Sequence, residues 1–113
     1  MSAITSHVLE TSLGKPAVGV RVALARWREP GLFEELGRGL TDSEGRVRQL
    51  LGDHQLDTGL HTLTFETGAY YRAAGRETFY DRIEIRFHVT DASQHYHVPL
   101  LLSPFGYSTY RGS

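Results

Sequence analysis

At 113 residues the chain has room for one hydrophobic core and not for a second, so one domain over residues 1–113 is expected. Its 12 basic and 13 acidic side chains leave a net charge of -1, without the basic excess that a nucleic-acid surface needs. No apolar run approaches a membrane span, and the absence of cysteine excludes disulfides and thiolate chemistry and fits a reducing, cytoplasmic setting.

The stretch from Met1 to His7 has neither the basic start nor the apolar run of a leader peptide. Ile4 to Leu9 reads as the first strand, followed by a break at Gly14-Lys15-Pro16. Val18, Val20, Val22 and Leu24 then alternate with Arg21, Ala23 and Ala25, the pattern of a strand with one buried face. After Glu29-Pro30-Gly31 come strands over Leu32 to Thr41 and Arg46 to Leu51, separated by the turn residues Asp42 to Gly45. Leu60 to Phe65 is the next. Thr67 to Gly75 is read as the one helix, with Thr67 capping its start and Gly75 ending it. Ile83, Ile85, Phe87 and Val89 alternate with Arg82, Glu84, Arg86 and His88 in a sixth strand. Gln94 to Leu102 and Tyr107 to Tyr110 complete the set. Eight short strands at this spacing predict an all-β, two-sheet sandwich with one short helix.

The last strand pair carries the most chemistry. Alternation puts His95, His97, Pro99 and Leu101 on one face of their strand. Ser103-Pro104-Phe105-Gly106 supplies a tight turn. If Leu102 faces Tyr107, then Pro99 faces Tyr110 and His97 faces Gly112, which brings Ser108 and Tyr110 to the face of His97. An imidazole, a phenol and a hydroxyl are thereby gathered, with Ser113 and its carboxylate beside them. The hairpin is expected at the centre of the sheet, with Tyr110 and Ser108 as hydrogen-bond partners of His97.

The terminus Tyr110-Arg111-Gly112-Ser113 closely resembles the hallmark of the 5-hydroxyisourate hydrolase branch of the transthyretin-like family. Ser6-His7-Val8-Leu9-Glu10 with Gly14-Lys15-Pro16-Ala17 is similar to the family's opening strand and turn. Thr41-Asp42-Ser43-Glu44-Gly45-Arg46 is similar to its central turn. Three ordered motifs span the chain. The resemblance implies the transthyretin-like sandwich and opening of the ring amide of 5-hydroxyisourate in urate degradation. It places His7 on the family's catalytic histidine and Arg46 on the arginine of its turn motif, and His97, chosen for its strand-face chemistry, joins them as the expected catalytic set. His7, Arg46, Tyr110, Ser108 and Ser113 are the implied substrate contacts. It further implies no metal and no cofactor, and a homotetramer with active sites at the dimer–dimer interface. The departures, Ser43-Glu44-Gly45 in the turn, Glu10 for a common Asp and Phe79 to Ile83 ahead of its strand, bear on loop geometry and substrate preference.

The residue types suit the reaction. Water attacking a ring carbonyl needs a base, an oxyanion donor and an acid for the leaving nitrogen. Histidine serves the first and third roles because its unperturbed pKa is about 6.5. Arginine, permanently charged and forked, serves the second. The sequence leaves open which histidine is base and which is acid. His95 lies further toward the sheet edge, in a solvated or supporting role, while His54, His61 and His88 read as ordinary structural or surface residues. His95 and His97 have a spacing that could chelate zinc with His7 as a third ligand, the metal alternative to the reading above. No Gly-x-Ser-x-Gly elbow is present, and Gly37-Arg38-Gly39 lacks the third glycine of a phosphate loop. The functional alternative is a non-catalytic carrier of a small aromatic ligand in the same channel; a purely structural sandwich leaves the terminal polar cluster unexplained.

Overall fold

Apolar residues recur at every second position of the long strands, so each strand turns one face inward, and two sheets close on the shared core. The computed structural model describes residues 3–113; Met1 and Ser2, the start of the stretch read for a leader, lie outside the described residues. The elements are β1 (Ile4–Glu10), β2 (Lys15–Pro16), β3 (Arg21–Glu29), β4 (Leu32–Leu40), β5 (Arg46–Val47), β6 (Gly59–Phe65), α1 (Thr67–Ala73), β7 (Ile83–Val89), β8 (Tyr96–Ser103) and β9 (Gly106–Thr109). One sheet runs β2-β1-β8-β9, with β5 also paired to β1; the other runs β4-β3-β6-β7. Ile4, Val8, Leu24, Phe65, Leu100 and Leu102 meet between them, each with at most 1% of its surface exposed. The all-β two-sheet sandwich with one short helix is therefore the observed architecture.

Two pairings position the site. β1 runs parallel to β8, with Thr5 opposite His97 and His7 opposite Pro99. On its other side β1 pairs antiparallel with β5, with His7 opposite Arg46. The β8–β9 hairpin turns through Pro104 and Phe105 in the expected register, Leu102 opposite Tyr107 and Leu101 opposite Ser108. A further antiparallel bridge joins His97 to Gly112.

Several expectations need correction. Nine strands, not eight, occur among the described residues, because Lys15–Pro16, read as a break, makes a two-residue strand against Leu9 and Glu10. The strand expected over Arg46 to Leu51 stops at Val47. The chain there leaves the ladder to bury Leu50 and Leu51, passing so close to β4 that a Cβ on Gly37 would meet the Leu50 carbonyl. Val18 is not part of β3; it is 54% exposed, and Gly19 with φ of +82° turns the chain before the strand starts at Arg21. Thr67 does not cap α1. Glu66 stands at the cap without a side-chain hydrogen bond, while Thr67 is the first helical residue and is fully buried. The hairpin is central only in part: β8 lies inside its sheet and β9 forms its edge.

Candidate active site

Along β1 and β8 the core takes alternate residues, leaving Thr5, His7 and Leu9, and His97 and Leu101, half-buried on the outer face. Directly opposed residues of an antiparallel pair share a face. Arg46, opposite His7, therefore projects outward, while its neighbour Val47 is buried. Three segments far apart in sequence thus deliver His7, Arg46 and His97 to one surface. Ser108, opposite Leu101, shares this face and is exposed, while Tyr110, 58% exposed, lines a hollow with Phe87, Tyr96 and Val98.

The turn before Arg46 is held by one carboxylate. Asp42 Oδ1 accepts from the backbone N–H of Glu44 at 2.9 Å and of Arg46 at 3.0 Å. These bonds, that from Arg46 foremost, hold the Asp42 carboxyl below its ordinary pKa. The Glu44 carbonyl then lies 2.8 Å from His7 Nε2. A carbonyl only accepts, so His7 carries a hydrogen on Nε2, and Nδ1 is its basic nitrogen. Arg46 itself forms no salt bridge among the described residues, and its charge remains available to an anion.

His97 is held differently. Its Nδ1 lies 2.8 Å from Thr5 Oγ1, not bonded to Tyr110 or Ser108 as the alternation had predicted. The same hydroxyl lies 3.0 Å from His95 Nε2. The two rings lie nearly parallel, 17° apart with centroids at 6.5 Å. Burial, and then the neighbouring His7, His95 and Arg46, hold the His97 imidazole below its ordinary pKa. It is therefore mostly neutral at pH 7, the state a base requires.

A glycine lies against each of the two histidines. Gly45, at φ of +79°, is in the region that side chains disfavour, and a Cβ there would lie 2.4 Å from the Val8 carbonyl and 3.3 Å from His7 Cδ2. At Gly112 a Cβ would lie 2.6 Å from His97 Cδ2. The tail that carries Gly112 is fastened by its N–H to the His97 carbonyl at 2.7 Å and by Arg111, which donates to Gln94 Oε1 and lies over the Tyr96 ring. Glycine spacing that reads as turn chemistry in the sequence also lets backbone lie flat against both imidazoles.

Comparison with known proteins gives the family. Residues 4–112 match the Transthyretin family model, described as the HIUase/Transthyretin family. The chain belongs to that family. It is 46% identical to 5-hydroxyisourate hydrolase 2 of Rhizobium meliloti, covering 97% of this chain and 95% of that one. The structure of Klebsiella pneumoniae 5-hydroxyisourate hydrolase aligns over the whole of both chains with a TM-score of 0.86 at 41% identity. A sea bream transthyretin solved with thyroxine aligns over 97% of this chain and 94% of that one, with a TM-score of 0.90 at 28% identity.

Within this HIUase/Transthyretin sandwich the other polar groups fall elsewhere. His61 is fully buried in the opposite sheet with Nδ1 3.0 Å from the Gly59 carbonyl, and burial lowers its pKa. His88 lies on the exposed side of β7, and His54 in the loop after Leu51. An open hollow of about 940 Å³ lies over β3 and β4, but its Arg38 and Arg82 are already paired with Glu35 and Glu66. Among the described residues no group of three or more His, Cys, Asp or Glu is placed to hold a metal ion, so the chelating set His7, His95 and His97 is not assembled as one. The residue that sequence reasoning passed over is Thr5. Its place on the face of His7 was legible; its contact with His97 depends on a parallel pairing between the two ends of the chain.

Proposed function

We propose that this chain hydrolyses 5-hydroxyisourate, opening the ring amide to 2-oxo-4-hydroxy-4-carboxy-5-ureidoimidazoline. The observation that carries the reading is the convergence of His7, Arg46 and His97 on one outer face, with no salt bridge to Arg46 among the described residues. His97, neutral at pH 7, takes a proton from water as its oxygen bonds to the ring carbonyl carbon. Arg46 stabilises the resulting oxyanion. The carbon–nitrogen bond then breaks as the leaving nitrogen takes the Nδ1 proton of a doubly protonated His7, and the proton that His97 took from water restores that form for the next turnover. Ser108, Tyr110 and Ser113 position the ring. The relatives' names support the substrate, and the shared motifs support the roles.

The assembly belongs to the same proposal. The face that carries these residues is open on a single chain, whereas small-ligand sites bury most of their ligand. A second copy of the face across a two-fold axis would make a channel with the site present twice. The proposed form is a homotetramer with active sites between dimers.

The deciding experiment adds purified protein to freshly generated 5-hydroxyisourate and follows its ultraviolet absorbance against uncatalysed decay, with and without a chelator. Acceleration unaffected by chelator is expected. No acceleration would leave the carrier reading in its place, and chelator loss restored by zinc would revive a metal.

A further inference from the structure

The strongest unassigned feature of this face is a single hydroxyl held between two imidazoles. Thr5 Oγ1 lies 2.8 Å from His97 Nδ1 and 3.0 Å from His95 Nε2. A hydroxyl owns one hydrogen and can donate it only once. At most one ring nitrogen can therefore accept from Thr5, and at least one must donate to it.

Two arrangements use the Thr5 hydrogen between the rings; in a third both rings donate to Thr5, which likewise leaves His97 Nε2 bare. In the first, Thr5 donates to His97 Nδ1, the hydrogen of His97 sits on Nε2, and the outward nitrogen has no lone pair for water's proton. In the second, Thr5 donates to His95 Nε2 and accepts from His97 Nδ1–H, which leaves His97 Nε2 bare and able to act as a base. A third group that orients the base and fixes its tautomer is a recurrent requirement of hydrolytic sites. We propose that Thr5 is the positioning residue of this site, with His95 as the acceptor that turns the Thr5 hydrogen away from His97 and so selects the base-competent tautomer. The inference rests on the hydrolase reading of the same face.

The surroundings favour a fixed arrangement. Thr5 and His97 are direct partners in the parallel ladder, so the backbone sets their separation. Gly112 lies against the His97 ring from the tail side, and Arg111 Nη2 lies 3.3 Å from the His95 carbonyl, steadying the segment that carries His95. His95 Nδ1 is buried with no partner among the described residues, so Thr5 is the partner this ring has. The titratable and charged groups facing His97 are His7 from β1, Arg46 from β5 and His95 from the segment before β8.

Thr5→Val keeps the shape and removes the oxygen; Thr5→Ser restores it. For Thr5→Val the expected result is a kcat about 10- to 100-fold lower with KM changed less than about twofold, and substantial recovery in Thr5→Ser. Nitrogen-15 NMR of the histidine rings reads the tautomer without any turnover. His97 should carry its hydrogen on Nδ1 in the native protein and in Thr5→Ser, and shift toward the Nε2–H form in Thr5→Val. A Thr5→Val protein with native kcat, or with an unchanged His97 tautomer, would overturn the proposal. A native protein that fails to accelerate 5-hydroxyisourate decay would overturn the hydrolase reading instead, while the NMR result would still report whether Thr5 sets the tautomer.

Discussion

Replacing Gly112 by alanine tests the site through its tightest contact. The added Cβ would sit 2.6 Å from His97 Cδ2, where ordinary contact begins at 3.4 Å, so ring or tail must move by about 0.8 Å. Gly112 is not in the left-handed region, so the backbone accepts alanine and the perturbation is steric alone. Neither side yields freely. The ring is tied to Thr5, and the tail is tied by the Gly112 N–H to the His97 carbonyl and by Arg111 to Gln94. Whichever moves, His97 loses its registration with the groups beside it. Misplacement of a catalytic group by about 1 Å costs on the order of a hundredfold, so kcat/KM should fall by roughly 30- to 100-fold. Gly112 lies outside the core, so the change in unfolding free energy should stay within about 0.5 kcal/mol. Initial rates on freshly generated 5-hydroxyisourate, beside thermal unfolding of both proteins, separate the two effects. Native kcat/KM in a folded Gly112→Ala protein would refute the claim that this contact registers His97.

Three further outcomes are expected. His7→Ala, Arg46→Ala and His97→Ala should each lower turnover by about a hundredfold or more with far-ultraviolet circular dichroism unchanged, and full activity in His97→Ala would remove the proposed base. Because His97 is held below its ordinary pKa, its neutral form persists to below about pH 6.5; kcat/KM should be level near pH 7 and fall only as acid protonates the ring, and a fall beginning above pH 7 would contradict the assignment. A bulky fusion after Ser113 should harm activity far more than one before Met1, because Gly112 abuts His97, and light scattering should give four times the 12.7 kDa chain mass; an active monomer, or an active C-terminal fusion, would refute the shared channel.

Much of this arrangement was legible because strand alternation is a local property. The inward run Val20, Val22 and Leu24, the outward placement of His97 and Ser108, and the hairpin register through Pro104 and Phe105 all follow from a two-residue period and one turn. What stayed hidden was non-local. Nothing near Thr5 announces that β1 will lie parallel to a strand some 90 positions later, and that pairing gives His97 its partner. The brevity of β5 has the same origin. Leu50 and Leu51 are as apolar as strand residues, but the opening beside Gly37 draws them out of the ladder into the core. The helix start was misread because Thr67, a good cap by residue type, is taken into the interior while Glu66 is engaged by Arg82.

The backbone alone does not choose between enzyme and carrier. It matches a thyroxine-bound transthyretin at least as closely as it matches the Klebsiella hydrolase, although sequence identity favours the hydrolase. Function therefore rests on what the outer face presents. A carrier of an apolar aromatic must shed water from that face when it binds. Here the face holds an Arg46 guanidinium with no salt bridge among the described residues and the imidazoles of His7, His95 and His97, and stripping water from such groups without replacing its hydrogen bonds costs several kcal/mol. A small polar ring rich in carbonyl and N–H groups returns those hydrogen bonds, and an oxyanion formed on it returns more than the ground state does. The same polar groups thus oppose the carrier's ligand and favour the hydrolase's transition state, which is the differential binding that catalysis requires.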